Sequence, residues 1–367
     1  MTTARRVAIT ATVMFASSMY ALDWTIAAVA LPHMQGTFSA TQDQISWVLT
    51  SYIVISAIAM PTTAWLAERL GRKKLYLIAI SGFTFFSVLC GGADSLETEI
   101  AYRLAQGAFG AFLIPLSQSI LLDTYPPAQH AKAMAIWSVG IMLAPVIGPT
   151  VGGYLTHEYS WRWVFFINIP MGLLGILGGV IFLAKMPRSQ AARGFDWLGF
   201  FALAIGVGAL QTMLDRGERL DWFQSGEVII ESTLVVAGLY IFVVQGLSAK
   251  APMVNLRLFH DRNYALGTFF AFLYGLLSLA PLVMLPPFLQ NLQGYPITTV
   301  GLLMSPRGLG MMFSMMLFGR FSTMLDPRMW VTLGFCLLGF SSMAMSQWTL
   351  EVSAWQISWT GWVQGMG

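Results

Sequence analysis

The chain has 367 residues, of which 56% are hydrophobic and only 10% are charged, and its mean hydropathy is +0.66. This composition excludes a water-soluble globular protein and predicts a protein with many membrane spans. The net charge of +3 does not indicate a nucleic-acid partner, because the basic residues concentrate in alternate loops between apolar segments.

Apolar runs of about 20 residues are long enough to cross a bilayer as helices. Eleven such runs follow one another along the chain, and a twelfth begins near Ile357. The pattern therefore predicts an all-α, polytopic membrane protein. The predicted spans are 7–32, 46–67, 75–93, 99–122, 132–156, 163–184, 197–214, 227–248, 264–289, 297–319 and 329–348.

The basic residues predict the orientation of these spans. When the spans alternate, fifteen of the twenty Lys and Arg residues lie on one side of the membrane, and Arg162, Arg216 and Arg219 lie on the other. By the positive-inside rule, the amino terminus is cytoplasmic. The remaining two, Arg103 and Arg307, fall inside predicted spans.

The fifth span has an unusual second half. Pro145, Gly148, Pro149, Gly152 and Gly153 would break a helix in water, whereas in lipid the neighbouring helices can satisfy the freed backbone groups. The two glycines four residues apart lie on one helical face, where another backbone can approach closely, and the proline between them predicts a kink. We therefore predict a helix that bends and touches a neighbour, with ordinary small-residue packing as the alternative.

The later spans weakly repeat the earlier ones. Gln106-Gly107 in the fourth span recurs as Gln364-Gly365 near the end of the chain, so the ninth span matches the first. This register predicts two related helix bundles separated by an inserted helix pair. Since the chain stops inside the counterpart of the fourth span, we expect an incomplete second bundle, and no transport by the 367-residue product alone. The predicted domains are 1–184 for the first bundle, 185–250 for the inserted pair and 251–367 for the second bundle.

Several stretches resemble the signatures of one transporter family. GPTVGG at 148–153 resembles the antiporter signature GPxxGG, LDWTI at 22–26 resembles a first-helix signature, and Arg103 with Gln106 and Gly107 resembles a fourth-helix RxxqGxg motif. Further agreement lies at 161–170, 214–223 and 306–310. Together these stretches resemble EmrB-type multidrug exporters, the fourteen-spanning drug:proton antiporter branch of the major facilitator superfamily.

The loop between the second and third spans, residues 64–74, resembles the GxLaDrxGrkk loop of the same superfamily, although alanine and glutamate replace its glycine and aspartate. We expect Glu68, Arg69, Gly71 and Arg72 to bridge helix ends and gate the cytoplasmic face. A solvated anchor that merely obeys the positive-inside rule is the alternative.

The resemblance implies a major-facilitator-type two-bundle transporter with fourteen spans, of which this chain holds about eleven and part of a twelfth. It implies a non-enzymatic protein of the bacterial inner membrane that exports hydrophobic drugs or toxic compounds. The proton gradient is then the energy source, and no metal or other cofactor is needed. In Gram-negative cells it implies a periplasmic membrane-fusion adaptor and an outer-membrane channel as partners.

Asp23 and Arg103 are the only ionisable residues that we place well inside the first six spans. Asp23 lies nine residues before Pro32, about 13 Å inside the outer end of the first span, and Arg103 enters the same half from the fourth. We predict that Asp23 carries the proton and that the nearby Arg103 adjusts the proton affinity of Asp23. A purely structural ion pair is the alternative. Further candidates for substrate binding or helix bending are Thr25, Gln106, Gly107, Pro145, Gly148, Pro149, Gly152 and Gly153, with Arg307 as a candidate in the second bundle.

Two other functions remain open at the level of sequence. A proton-coupled nutrient symporter would share the fold, and a receptor or scaffold would share only the membrane location. The GPxxGG string and the extra helix pair argue against the symporter, and the buried charges argue against an inert scaffold. The sequence contains no GxxxxGK phosphate loop, which disfavours an ATP-driven pump.

Overall fold

The computed structural model describes residues 2–184, 194–321, 324 and 326–367. Over these residues the secondary structure consists of α-helices with short 3-10 and π turns, and contains no strand. The prediction of an all-α chain is confirmed. The helices are α1 (Thr3–Phe38), α2 (Gln42–Ala59), α3 (Thr63–Leu70), α4 (Arg72–Gly91), α5 (Leu96–Gly110), α6 (Leu113–Thr124), α7 (His130–Glu158), α8 (Trp163–Phe166), α9 (Asn168–Phe182), α10 (Trp197–Arg216), α11 (Gly226–Ser248), α12 (Arg262–Pro287), α13 (Ile297–Phe321), α14 (Pro327–Ser346) and α15 (Ala354–Met366).

Eleven helical stretches in the described part of the chain are long and apolar enough to cross a membrane, in agreement with the eleven predicted spans. Three of them each combine two helices: α2 with α3, α5 with α6, and α8 with α9. The partial twelfth span corresponds to α15, which begins with a capping box at Ser353 and Gln356. The basic residues at 185, 188 and 193 that helped to predict the orientation lie outside the described residues.

The first helix is longer than predicted, because α1 continues six residues past Pro32. Tertiary contacts hold this extension in place. The Trp161 indole donates a hydrogen bond to Thr37 Oγ1 at 2.9 Å, and the ring of Phe38 packs edge-on against Trp161 at 5.4 Å between centroids. The extension ends at Ser39, whose backbone is left-handed with φ 52°.

Helix α1 is the centre of the first bundle, since it packs against α2, α6, α7 and α9. The core around it contains fully buried aromatic and aliphatic side chains from several helices, among them Met19, Tyr52, Tyr76 and Phe83. Side chains on the inner face of α1 are therefore enclosed by the rest of the bundle, and a polar residue on that face must find its partners within the protein.

Helices α10 and α11 form a hairpin whose main contact is with each other. Their backbones approach closely at Gly206 and Gly238, where an added Cβ on Gly238 would lie 2.8 Å from Gly206 backbone atoms. At the base of the hairpin, the Asp196 carboxylate accepts hydrogen bonds from the Gln245 side chain and the Met253 amide. The hairpin occupies the position predicted for the inserted helix pair, and the division into three domains stays a prediction.

The second group of helices meets the first along α7 and α13. Helix α13 packs on α15 within its own group and on α7 of the first bundle. Val146 and Pro149 on α7 face Gly308 and Gly301 on α13, and we refer to these four residues as the inter-bundle seam. This seam brings the predicted bending helix to the boundary between the two groups.

Candidate functional site

Helix α7 is packed closely on two sides. On the first, a Cβ added at Gly148 would overlap Thr25 Oγ1 of α1, and one at Gly152 would lie 3.1–3.2 Å from Ile26. On the second, a Cβ added at Gly301 of α13 would lie 2.9 Å from the Pro149 carbonyl oxygen. The glycines therefore permit three helix backbones to approach one another here.

The backbone of α7 stays α-helical through the proline- and glycine-rich stretch, with Pro149 and Gly153 buried. Pro145 lies in the same helix, but its side chain is outside what the structure describes. On α1, the Thr25 hydroxyl donates to the Leu22 carbonyl at 2.9 Å and lies 3.4 Å from the Ala144 carbonyl of α7. Thr25 thus lies at the contact between the two helices.

Asp23 and Arg103 form a fully buried ion pair. Arg103 Nη1 donates to Asp23 Oδ2 at 2.5 Å, and the side chains are 0% and 1% exposed respectively. A charge in this environment is expensive unless it is paired and hydrogen-bonded. The two helices that carry these residues are far apart in sequence, so this pair ties α1 to α5.

Two amides complete the surroundings of the pair. Gln106 Nε2 and Asn168 Nδ2 both donate to Asp23 Oδ1, at 2.9 and 2.6 Å, and Gln106 Oε1 accepts from Arg103 Nη1 at 2.7 Å. We refer to Asp23, Arg103, Gln106 and Asn168 as the polar cluster. Its donors surround the Asp23 carboxylate as they would surround an anion.

Helix α2 supplies two further contacts of Arg103. Arg103 Nε donates to the Val48 carbonyl at 3.0 Å, and the guanidinium lies 4.2 Å from the centroid of the Tyr52 ring. One turn further along α5, an added Cβ at Gly107 would lie 2.6 Å from the Tyr52 carbonyl oxygen, so this glycine permits the close approach of α2 and α5.

Sequence reasoning missed two members of this region. Asn168 lies within the 161–170 stretch that carries the family resemblance, but nothing in its sequence position shows that its side chain reaches Asp23. Glu99 was placed at the edge of the fourth span, yet its side chain is 0% exposed. Asp23 and Arg103 are therefore not the only ionisable residues buried in the first six spans. The spacing of four residues between Glu99 and Arg103, which puts them on one face of α5, was the available signal.

A cavity of about 370 Å³ lies between the two bundles. Tyr20, Trp24 and Thr25 line it from α1, while Tyr274, Ser278 and Arg307 line it from the second group. We refer to it as the central cavity. Its walls are largely apolar with a few polar groups, which is typical of a small-molecule site.

Arg307 is the charged residue in the wall of the central cavity. It is 6% exposed, and its Nη2 donates to the carbonyl and hydroxyl oxygens of Ser278 at 2.5 and 2.7 Å. Its Nε and Nη1 have no hydrogen-bond acceptor among the described residues. Both nitrogens are enclosed by the protein, so Arg307 contributes a positive charge to the cavity wall and not exposed donors.

A second cavity of about 230 Å³ lies near the carboxyl end of α1 and the amino end of α2, and Pro32, Gln42 and Gln290 are among its lining residues. Trp24 and Ile53 line both cavities. The two spaces are therefore adjacent along the boundary between the bundles.

The predicted cytoplasmic gate lies at the junction of α3 and α4. Gly71 has φ 84°, a conformation that favours glycine, and Arg72 forms an ion pair with Asp123 at the end of α6. Glu68 and Arg69 are exposed, and Arg69 lies over the Trp65 ring. In the described structure, the acid that pairs with Arg72 across two helix ends is Asp123. The sequence motif had suggested Glu68 for this role.

Comparison with known proteins places these features in a family context. A family profile described as Major Facilitator Superfamily matches residues 13–366. The chain is 38% identical to the fatty acid resistance protein FarB of Neisseria gonorrhoeae over 95% of this chain and 69% of that protein. It is 40% identical to the multidrug export protein EmrB of Escherichia coli (strain K12) over 91% of this chain and 65% of that protein. The chain thus spans about two thirds of the length of these relatives.

Among solved structures, a peptide transporter in complex with sulfate superimposes with a TM-score of 0.67 at 14% identity, covering 98% of this chain and 79% of that one. At this identity the likeness shows the fold alone. The predicted two-bundle transporter architecture is confirmed.

Proposed function

The chain belongs to the major facilitator superfamily, and from this premise we propose that it exports hydrophobic compounds from the cell in exchange for protons. The predicted similarity to EmrB-type exporters is confirmed by the identities above. The protein is a membrane protein, and we propose that it lies in the bacterial inner membrane with its amino terminus in the cytoplasm.

The observation that carries the proposal is the position of the polar cluster next to the central cavity. Asp23 belongs to the cluster, and the next two residues on α1, Trp24 and Thr25, line the cavity. A proton that binds Asp23 neutralises its charge and weakens its attraction to Arg103. Because α1 also packs on α7, such a change at Asp23 is positioned to alter both the cavity wall and the inter-bundle seam.

Protons provide enough energy for this task. One proton that moves through 100 mV releases about 2.3 kcal/mol. This energy supports a concentration ratio of nearly fiftyfold, at about 1.4 kcal/mol for each factor of ten. The proposal therefore requires no other energy source and no cofactor.

The proposed substrates are hydrophobic small molecules, in keeping with the apolar walls of the central cavity. The positive charge of Arg307 in the cavity wall favours those that also carry an acidic group. The named functions of the relatives, multidrug export and fatty acid resistance, support both parts of this proposal. In a Gram-negative cell, we further propose a periplasmic adaptor and an outer-membrane channel as partners.

Two alternatives predict different behaviour. A nutrient symporter would move its substrate in the same direction as the proton, and a receptor or scaffold would move none. The buried ion pair argues against a scaffold, since nothing in such a role offsets the cost of removing these charges from water.

Reconstitution of the full-length protein in proteoliposomes tests the proposal. Vesicles loaded with a fluorescent hydrophobic substrate are subjected to a pH jump, and substrate movement is followed with the gradient in each direction. We expect movement opposite to the proton flux and its loss when nigericin collapses the gradient. Movement in the direction of the proton flux would establish symport, and absence of gradient-dependent movement would overturn the transport proposal.

A further inference from the structure

Glu99 is a buried carboxylate that lies outside the polar cluster. It lies in the first turns of α5 and is 0% exposed, and neither of its oxygens has a hydrogen-bond partner among the described residues. Glu97, two residues earlier on the same helix, is exposed. Glu99 therefore lies on the buried face of α5, which also carries Arg103.

Among the described residues, four charged or titratable groups act on Glu99. Arg103 and Asp23 lie on the inner side, the Cys90 thiol lies on α4, and Arg162 lies on the external side. Arg162 is held in place by the carbonyl oxygens of Gly91 and Ala93, which accept from its Nη1 at 3.0 and 2.7 Å. Glu99 thus lies between an external arginine and the polar cluster.

The hydrogen bonding of the two buried acids differs. Asp23 accepts from Arg103, Gln106 and Asn168, an environment that suits an anion. The Cys90 thiol near Glu99 donates to Gln106 Oε1 at 3.6 Å, and no donor among the described residues lies within hydrogen-bonding distance of the Glu99 oxygens. An ionised carboxylate buried without hydrogen bonds is very costly. In this arrangement the negative charge belongs to Asp23 and the proton to Glu99.

Arg103 is positioned to pair with either of the two acids, Asp23 or Glu99. Its Nη2 has no acceptor among the described residues, although the side chain is 0% exposed. Glu99 precedes it by four residues on the same helix, which corresponds to about 6 Å along the axis. A small rotation of the guanidinium would bring this donor toward the Glu99 carboxyl group.

We propose that Glu99 is a second proton-binding residue of the coupling site, located on the external side of the Asp23–Arg103 pair. In this step the O–H bond of Glu99 breaks, an O–H bond forms at Asp23, and the negative charge passes from Asp23 to Glu99 while Arg103 remains paired. A proton from the external solution then reloads Glu99 past Arg162. The inference rests on the proposed proton-driven export and assigns a further residue to it.

The test compares Glu99→Gln with Glu97→Gln in the full-length protein. Glutamine keeps the size of the side chain but cannot titrate, and Glu97 provides a matched control on the exposed face of the same helix. We expect Glu99→Gln to slow pH-driven export about tenfold or more, a change of about 1.4 kcal/mol in the barrier. We also expect it to lose part of the proton release that accompanies substrate addition to purified protein in weak buffer.

A second variant, Glu99→Asp, keeps the proposal testable if the glutamine variant does not reach the membrane. Aspartate retains a titratable group at a shorter reach, so proton release should persist while the pH dependence of export shifts. A pH profile identical to that of the unmodified protein would count against the proposal.

The outcomes separate this inference from the proposed function. If the unmodified protein and Glu97→Gln show no gradient-driven export, the export proposal itself fails. If both export and Glu99→Gln matches them in rate, pH profile and proton release, then export stands and Glu99 is a structural residue only.

Discussion

A single guanidinium, that of Arg103, joins three helices inside the membrane. It binds Asp23 on α1, Gln106 on its own helix α5, and the Val48 carbonyl and Tyr52 ring on α2. Removal of one partner from a buried ion pair typically costs about 3–5 kcal/mol, because the other charge remains uncompensated. Substitutions at these residues must therefore be followed by a measurement of folded protein in the membrane as well as of transport.

Arg103→Lys should retain more transport than Arg103→Ala. Lysine keeps the positive charge next to Asp23, but it has no planar fork and cannot bind Asp23 and the Val48 carbonyl as the guanidinium does. Alanine leaves the Asp23 carboxylate buried without its counter-charge. Gradient-driven export and membrane level of both variants give the comparison, and equal activity of the two would show that charge at this position does not matter.

Asp23→Asn should abolish proton-driven export while substrate binding persists. Asparagine has the size of aspartate and can still accept hydrogen bonds from Gln106 and Asn168, but it cannot carry a proton. pH-jump transport in proteoliposomes measures the first property, and quenching of tryptophan fluorescence by substrate measures the second. Unchanged proton-coupled export would leave Asp23 as a structural partner of Arg103.

At the scale of a helix, α7 is built for close contact. Gly148 and Gly152 face α1, and the adjacent part of the helix faces α13 across the inter-bundle seam. Small residues promote association of helices in lipid because they let backbones pack closely. A side chain at these positions would separate α7 from α1, the helix that carries both Asp23 and a wall of the central cavity.

Gly148→Leu and Gly152→Leu should each abolish export and leave the protein in the membrane. Overpacking at such a contact typically costs about 1–3 kcal/mol, enough to displace one helix without unfolding a bundle. Gly208→Leu on α10 is the matched control, because a Cβ at Gly208 meets nothing within 4 Å. The measurements are the drug resistance of cells and the amount of each variant in the membrane. Normal resistance with both α7 variants would show that this stretch is ordinary helix packing.

At the scale of the whole molecule, transport by this fold requires the two bundles to move relative to each other around a shared site. The central cavity has walls from both groups of helices, and the contact between α7 and α13 spans the boundary beside it. Near the amino end of α7 and the carboxyl end of α13, which we propose face the cytoplasm, the Cβ atom of Ala135 lies 3.4 Å from the position of a Cβ on Gly319. This separation is close to the usual Cβ distance of a disulfide, roughly 3.5–4.5 Å.

A disulfide between Ala135→Cys and Gly319→Cys should therefore stop transport. The bond would hold the cytoplasmic ends of α7 and α13 together and prevent the cavity from opening to that side. Cys90 and Cys336 are replaced by serine in the background, since they are the free cysteines of the chain. We expect export to disappear on oxidation and to return with a reductant, while each single-cysteine variant stays active. Full export by the cross-linked protein would show that this contact does not open.

Much of the architecture could be predicted because it depends on local properties of the chain. A run of about 20 apolar residues is sufficient to define a span, and the eleven predicted spans agree with the eleven in the described structure. The boundaries were less accurate where tertiary contacts extend a helix, as Thr37 and Phe38 do through Trp161. The roles assigned to the site residues stay predictions until the experiments above are done.

The sequence by itself determined the spans, the helix pair between the bundles and the presence of buried charges at Asp23 and Arg103, since hydrophobicity and residue spacing are properties of the linear chain. Only the tertiary structure decided which side chains meet. Asn168 reaches Asp23, and Glu99 is enclosed without a hydrogen-bond partner among the described residues, because of the way in which α1, α4, α5 and α9 pack. The face that a helix turns toward its neighbours depends on contacts between residues distant in sequence, and no local pattern specifies it.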